Sequence, residues 1–223
     1  MSRQLTFELP VRTALGRGDF FISPANALAL AAVEADWPQG KLVLIGPQGS
    51  GKTHLAQVWA ARVQAQVLPS DLTRVDLSAV SAQALVVEDA DRLAGPAQEQ
   101  ALLHLHNLSQ AAGGRLLLTA RTPPARWPTA LADLSSRLQA MATAALAPPD
   151  DALLHAVLVK QFADRQLTVS PALILYLGSR MERSLAAVGA LVAALDARAL
   201  AERRPVSRAM AAEWLDNAGK GAP

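Results

Sequence analysis

Apolar positions fall into two regimes along this chain, and the change between them organises the rest of the reading. In the first two thirds they form short unbroken runs: residues 41–45 (KLVLI), 84–87 (ALVV) and 115–119 (RLLLT). Each run ends at a glycine, an acid or a polar turn, the signature of a strand buried on both faces. Between them lie stretches with helical spacing. Residues 52–63 follow a glycine-rich turn, and residues 96–111 place Leu102, Leu103, Leu105 and Leu108 on one side before stopping at Gly113 and Gly114. Strands alternating with helices predict an α/β fold with a parallel sheet flanked by helices.

After Pro148 and Pro149 the strand runs cease. Asp150 is placed to cap a helix, and residues 151–162, 171–181, 185–202 and 207–216 read as four helices. The expected division is an N-terminal tail (1–12), an α/β nucleotide-binding module (13–147) and a small all-helical lid (148–223).

The turn after the first strand carries the chemistry. Gly46, Pro47, Gln48, Gly49, Ser50, Gly51, Lys52 and Thr53 satisfy the pattern G-x-x-x-x-G-K-[ST]. Glycines let backbone N–H groups curl around phosphates, and the following helix directs its positive end at them. Lys52 reaches the terminal phosphates and the Thr53 hydroxyl ligates magnesium. The strand at 84–87 runs into Glu88 and Asp89. In phosphate-loop proteins such acids hold the metal and polarise the attacking water, so Thr53 and Glu88 are the metal candidates and Glu88 and Asp89 the catalytic acids. The expected cofactors are ADP or ATP with Mg2+.

Composition narrows this picture only modestly. Of 223 residues, 51% are apolar, enough to fill a core and to exclude wholesale disorder. The absence of cysteine excludes disulfides, thiolate metal sites and cysteine nucleophiles. His104 and His106 are two apart on a helix and point to different faces, a poor metal pair. A net charge of +2 does not demand nucleic acid. The N-terminus has no long apolar region, and the apolar stretch at 185–195 is too short to span a bilayer and ends at Asp196. The expectation is a cytoplasmic protein with no membrane partner.

Together these motifs resemble the AAA+ core of the DnaA family and, within that family, the Hda (HdaA) branch of DnaA-related regulatory inactivators, above all its alphaproteobacterial form. The segment from Phe20 through Phe21, Ile22 and Asn26 resembles the stretch that lies against adenine, and His54 follows the phosphate loop. Residues 116–124, LLLTARTPP, resemble the sensor 1 strand and its turn, with Thr119 as the polar strand end; Arg121 stands where the family often has an acid. The LSSRL segment at 134–138 resembles the one bearing the family's arginine finger, which implies that Arg137 acts in trans on a neighbour's nucleotide; a surface arginine in a salt bridge is the alternative. Arg183 resembles the sensor 2 arginine, with Arg180 as its runner-up. Residues 4–10, QLTFELP, look like the family's clamp-binding peptide, which implies Gln4, Leu5, Phe7 and Leu9 as contacts, an edge strand being the ordinary alternative. The resemblance implies two partners, DnaA and the sliding clamp (beta subunit) of DNA polymerase III. It is compatible with a homodimer and implies no direct sequence-specific DNA binding. The implied role is negative regulation of replication initiation, by stimulating hydrolysis of DnaA's ATP while the chain itself holds adenine nucleotide, ADP by preference. The contrasting reading is an ATPase, such as a helicase loader, that hydrolyses its own ATP.

Overall fold

The structure is a computed structural model that describes residues 21–93 and 95–218. Five parallel strands form one sheet: β1 (Lys41–Ile45), β2 (Gln66–Leu68), β3 (Ala84–Val87), β4 (Arg115–Ala120) and β5 (Ala142–Ala145), in the order β2-β3-β4-β1-β5. The central strands are largely apolar because both faces are covered. Val43, Leu85, Val87, Leu116 and Leu118 pack on one face with Leu102, Leu105, Leu134 and Leu138. These last four come from helices α4 (Pro96–Ala111) and α5 (Ala132–Gln139). Leu42, Leu44, Val86 and Leu117 face the other way, onto Leu55, Ala56, Trp59 and Ala60 of α2 (Lys52–Val63) and Ala29 and Val33 of α1 (Ala27–Glu34). Strand alternation thus divides one continuous apolar run between two cores. Each fully buried leucine contributes roughly 1.5–3 kcal/mol by leaving water.

A four-residue helix, α3 (Leu77–Val80), precedes β3. The C-terminal helices are α6 (Asp151–Asp164), α7 (Pro171–Gly178), α8 (Leu185–Glu202) and α9 (Arg208–Ala218), and they build a third core around Leu158, Phe162, Leu177, Val188, Leu191 and Met210. Their starts follow from capping. Asp150 Oδ1 accepts the Leu153 N–H at 2.8 Å, which holds the Asp150 carboxyl below its ordinary pKa. Ser170 and Ser184 cap α7 and α8 in the same way.

Four helix ends differ from the sequence expectation, among them the C-termini of α6 and α9, which run on to Asp164 and Ala218 rather than stopping at 162 and 216. The helix expected over 171–181 stops at Gly178, where the Ser179 N–H closes onto the Leu175 carbonyl. The one expected over 207–216 begins at Arg208, with Ser207 Oγ accepting from the Met210 N–H at 3.3 Å. Strands β2 and β5, and helices α1, α3 and α5, were not anticipated as elements. Among the described residues no helix is long and apolar enough to cross a membrane.

Candidate nucleotide site

The phosphate loop joins β1 to α2 at the C-terminal ends of the strands. Gly51, at φ +99°, turns the chain into the helix, and the Gly46 N–H is anchored to the Ala120 carbonyl at 3.1 Å. Lys52 Nζ donates to the Gly46 and Pro47 carbonyls at 2.8 and 2.9 Å. Burial lowers the Lys52 pKa, Asp89 opposes that shift, and the Arg121 charge reinforces it. Lys52 is therefore a desolvated cation poised over the loop. Ser50 Oγ is buried and has no hydrogen-bond partner among the described residues. A buried donor left unmatched costs about 1–3 kcal/mol, and a phosphate oxygen in the nest would supply its partner.

The acids arrive from β3. Thr53 Oγ1 donates to Glu88 Oε2 at 3.1 Å, so the two expected metal contacts lie side by side. Glutamate in place of the usual aspartate therefore still reaches. Among the described residues no group of three or more His, Asp or Glu gathers. Magnesium, which keeps several waters and leans on phosphate oxygens, fits a hydroxyl-and-carboxylate pair better than a full protein cage. Asp89 sits at φ +49°, and its N–H donates to Thr119 Oγ1 at 3.0 Å. Thr119 is buried on β4 and acts as a positioning residue that fixes the acid.

A cavity of about 480 Å³ opens beside this loop. Gln48, Gly49, Lys52, Thr53, His54, Asp89 and Arg121 form one wall. The opposite wall is the lid: Val157, Lys160, Gln161 and Asp164 of α6, and Leu185 and Ala186 of α8. Sequence reasoning missed these lid residues. Their spacing of three, four and seven puts them on one helix face, a signal that was present but looked like an ordinary solvated surface. Arg121 adds a second cation to the wall that carries Lys52, and its backbone N–H is held by Asp91 Oδ2 at 2.9 Å. A narrower slot of about 40 Å³ adjoins the main cavity, lined in part by Phe21, Asn26, His54, Leu146 and Leu153. Asn26 Nδ2 donates to the Phe21 carbonyl at 2.9 Å and its Oδ1 accepts the Ser23 N–H, so it shapes the turn that presents Phe21. Ile22 is 59% exposed and lies outside both linings.

Two arginines lie away from the cavity. Arg183 immediately precedes the α8 cap and pairs with Asp151 at 2.7 Å, across from the Pro149 carbonyl. An exposed pair of this kind contributes only about 0–1 kcal/mol. Arg180 stacks on Tyr176 at 4.4 Å. What touches the loop instead is the start of α8: the Leu185 N–H donates to the Gly49 carbonyl at 2.7 Å. Gly49 has φ +73°, and a Cβ there would lie 1.9 Å from Ser184 Oγ. Gly49→Ala is therefore expected to push the lid off the loop. Strain of about 1–2 kcal/mol in the left-handed region plus a lost hydrogen bond of ~1 kcal/mol predict ADP affinity reduced roughly 10-fold or more, measured by calorimetry.

Arg137 lies at the other end of the sheet. Its Nε donates to Asp133 at 2.9 Å, and it lines a separate cavity with Lys41, the first residue of β1. The length of β1, roughly 13 Å at about 3.3 Å per residue, separates that end from Gly46. Gln4, Leu5, Phe7, Leu9 and Phe20 lie outside the described residues.

No protein-family model matches the chain. The fold has clear counterparts among solved structures. Domain III of the replication initiation protein DnaA from Thermotoga maritima superposes with a TM-score of 0.80 at 18% identity, covering 94% of this chain and 98% of that one. AMPPCP-bound DnaA from Aquifex aeolicus aligns at TM-score 0.65 and 15% identity over 78% of this chain, which spans only 62% of that longer protein. The ADP complex of the FIGL-1 AAA domain aligns at 0.61 and 16% identity, covering 79% and 70%. The five-stranded parallel sheet with its flanking helices and helical C-terminal region is a DnaA-like AAA+ fold.

Proposed function

We propose that this chain is an Hda-type negative regulator of replication initiation. It holds adenine nucleotide, ADP in its working state, in its own phosphate loop and places Arg137 on the ATP of a neighbouring DnaA. The observation that carries the reading is the position of Arg137. A guanidinium beside the start of β1, a strand's length from Gly46, serves a nucleotide on another subunit rather than its own. The match to DnaA domain III over nearly the whole of both chains supports pairing between like surfaces, and a homodimer would use the same ones. Residues 4–10 then act as a short extended ligand for the polymerase sliding clamp, bringing the regulator to DNA without sequence-specific contacts of its own.

The test is reconstitution of DnaA, DNA-loaded clamp and this chain, with the nucleotide on DnaA as the readout. Removing residues 1–10 is expected to lower conversion of ATP-DnaA to the ADP form at least tenfold. Equal conversion by the truncated chain would take the clamp out of the mechanism.

One feature favours a second reading. The Thr53–Glu88 hydrogen bond and the tethered Asp89 form a hydrolytic set next to the phosphate loop, as an ATPase such as a helicase loader requires. Basal turnover separates the two: rapid hydrolysis without DnaA and without clamp binding selects the loader.

A further inference from the structure

The second cavity contains an electrostatic imbalance. Lys41 opens β1, where a lysine would ordinarily carry its ammonium out to water. It is instead 1% exposed, and its Nζ donates to Gln110 Oε1, a neutral amide, at 3.1 Å. Among the described residues no carboxylate pairs with it. The neighbouring cation, Arg137, pairs with Asp133 at 2.9 Å and, among the described residues, with no second carboxylate. His106 is 3% exposed, and burial first, then the Lys41 charge, push its pKa down to about 4, so at neutral pH it adds no charge. Lys41 and Arg137 both line a cavity of about 220 Å³, whose walls also carry Ser136 and Gln110 and, among the described residues, no carboxylate. That volume holds roughly seven waters at ~30 Å³ each, which leaves room for a tetrahedral oxyanion with part of its hydration.

A buried ammonium with no counter-ion is costly. Burial and the Arg137 charge lower the Lys41 pKa from 10.5 to about 8, which expresses that cost. Lys41, Arg137, Ser136 and the Gln110 amide offer the donor set that recognises phosphate: one point charge, one planar fork and neutral groups that orient it.

We propose that this cavity is a phosphate site, held by Lys41 Nζ and the Arg137 guanidinium with Ser136 as a further donor. The phosphate comes either from inorganic phosphate in solution or from the terminal phosphate of a nucleotide on an adjoining subunit. The second source rests on the proposed trans role of Arg137; the first does not. On binding, Arg137 exchanges its contact with Asp133 for the ligand, and Lys41 gains the anion it lacks.

The experiment uses the full chain saturated with ADP and magnesium, so that the phosphate loop is occupied. Potassium phosphate is titrated against potassium chloride at matched ionic strength. Thermal melting and the His106 ring resonances are the readouts. At ten times its dissociation constant phosphate is expected to raise the melting temperature by about 3–6 °C and to move the His106 signals. Lys41→Met is expected to melt above wild type in chloride, because it removes an unpaired buried charge, and to lose the phosphate response. Lys41→Arg is expected to keep it. If wild type and Lys41→Met respond equally, or if phosphate moves neither the melting temperature nor the His106 resonances of wild type, the site does not exist. Once the response is seen, stimulated hydrolysis on DnaA tells the sources apart. A tenfold or greater loss in Lys41→Met marks the partner's nucleotide as the ligand, and unchanged stimulation marks free phosphate.

Discussion

Replacing Arg137 by alanine is expected to leave this chain's own uptake of ADP unchanged while lowering stimulated hydrolysis on DnaA by ~10³-fold or more, the range over which an arginine supplied in trans acts on phosphoryl transfer. Both halves follow from placement. Arg137 lines the cavity at the start of β1 and takes no part in the one around Lys52 and Thr53, so its loss removes no contact to the chain's own phosphates. The side chain is 38% exposed, and its present partner, Asp133, is one helical turn away on the same exposed face. Such a pair contributes about 0.3–0.5 kcal/mol, so swinging the guanidinium onto a neighbour's γ-phosphate costs little. Folding should be almost unaffected for the same reason. Unimpaired stimulation by Arg137→Ala would show that another group supplies the charge.

Lys52→Ala is the second large effect, on the opposite end of the sheet. The Nζ of Lys52 is the principal cation over the loop, held in place by the Gly46 and Pro47 carbonyls until phosphate replaces them. Hydrogen bonds to charged groups contribute about 1.5–3 kcal/mol each. Losing two of them to the terminal phosphates predicts at least ~100-fold weaker ADP binding, read by calorimetry. Arg121 lines the same cavity, on the wall that carries Lys52. It is expected to preserve a residual, strongly salt-dependent affinity rather than rescue the site.

How much of this was legible in the residues depends on the kind of signal involved. Strands β1 and β3 have the bounds their apolar runs suggest, and β4 extends one residue beyond, to Ala120. A strand covered on both faces leaves a continuous apolar run that few other structures mimic. The phosphate loop was equally plain, since its glycines, lysine and threonine are dictated by local backbone geometry. Strand β5 was hidden because Ala142–Ala145 reads ATAA, a composition that favours helix, and its strand character comes only from pairing with β1. The lid contribution was hidden for a related reason. Lys160, Gln161 and Asp164 are ordinary surface residues in one dimension, and only the fold brings α6 over the loop. Arg183 shows the converse limit. A family-like segment fixed its place in the chain, but Ser184 caps α8 immediately after it, so the side chain lies on the turn against Asp151 rather than over the phosphates. Lys41 stands at the head of an apolar run, and nothing in KLVLI announces that its ammonium is buried.

The proposed grip on polyphosphate, rather than on base or sugar, rests on a nest of backbone amides and one lysine. Parallel calorimetric titrations of the full chain with ADP, AMP and adenosine, each with magnesium, address that directly. The prediction is saturable one-to-one binding of ADP, at least ~100-fold tighter than AMP, with adenosine weaker still. Equal affinity for AMP and ADP, or no uptake of ADP at all, would contradict it.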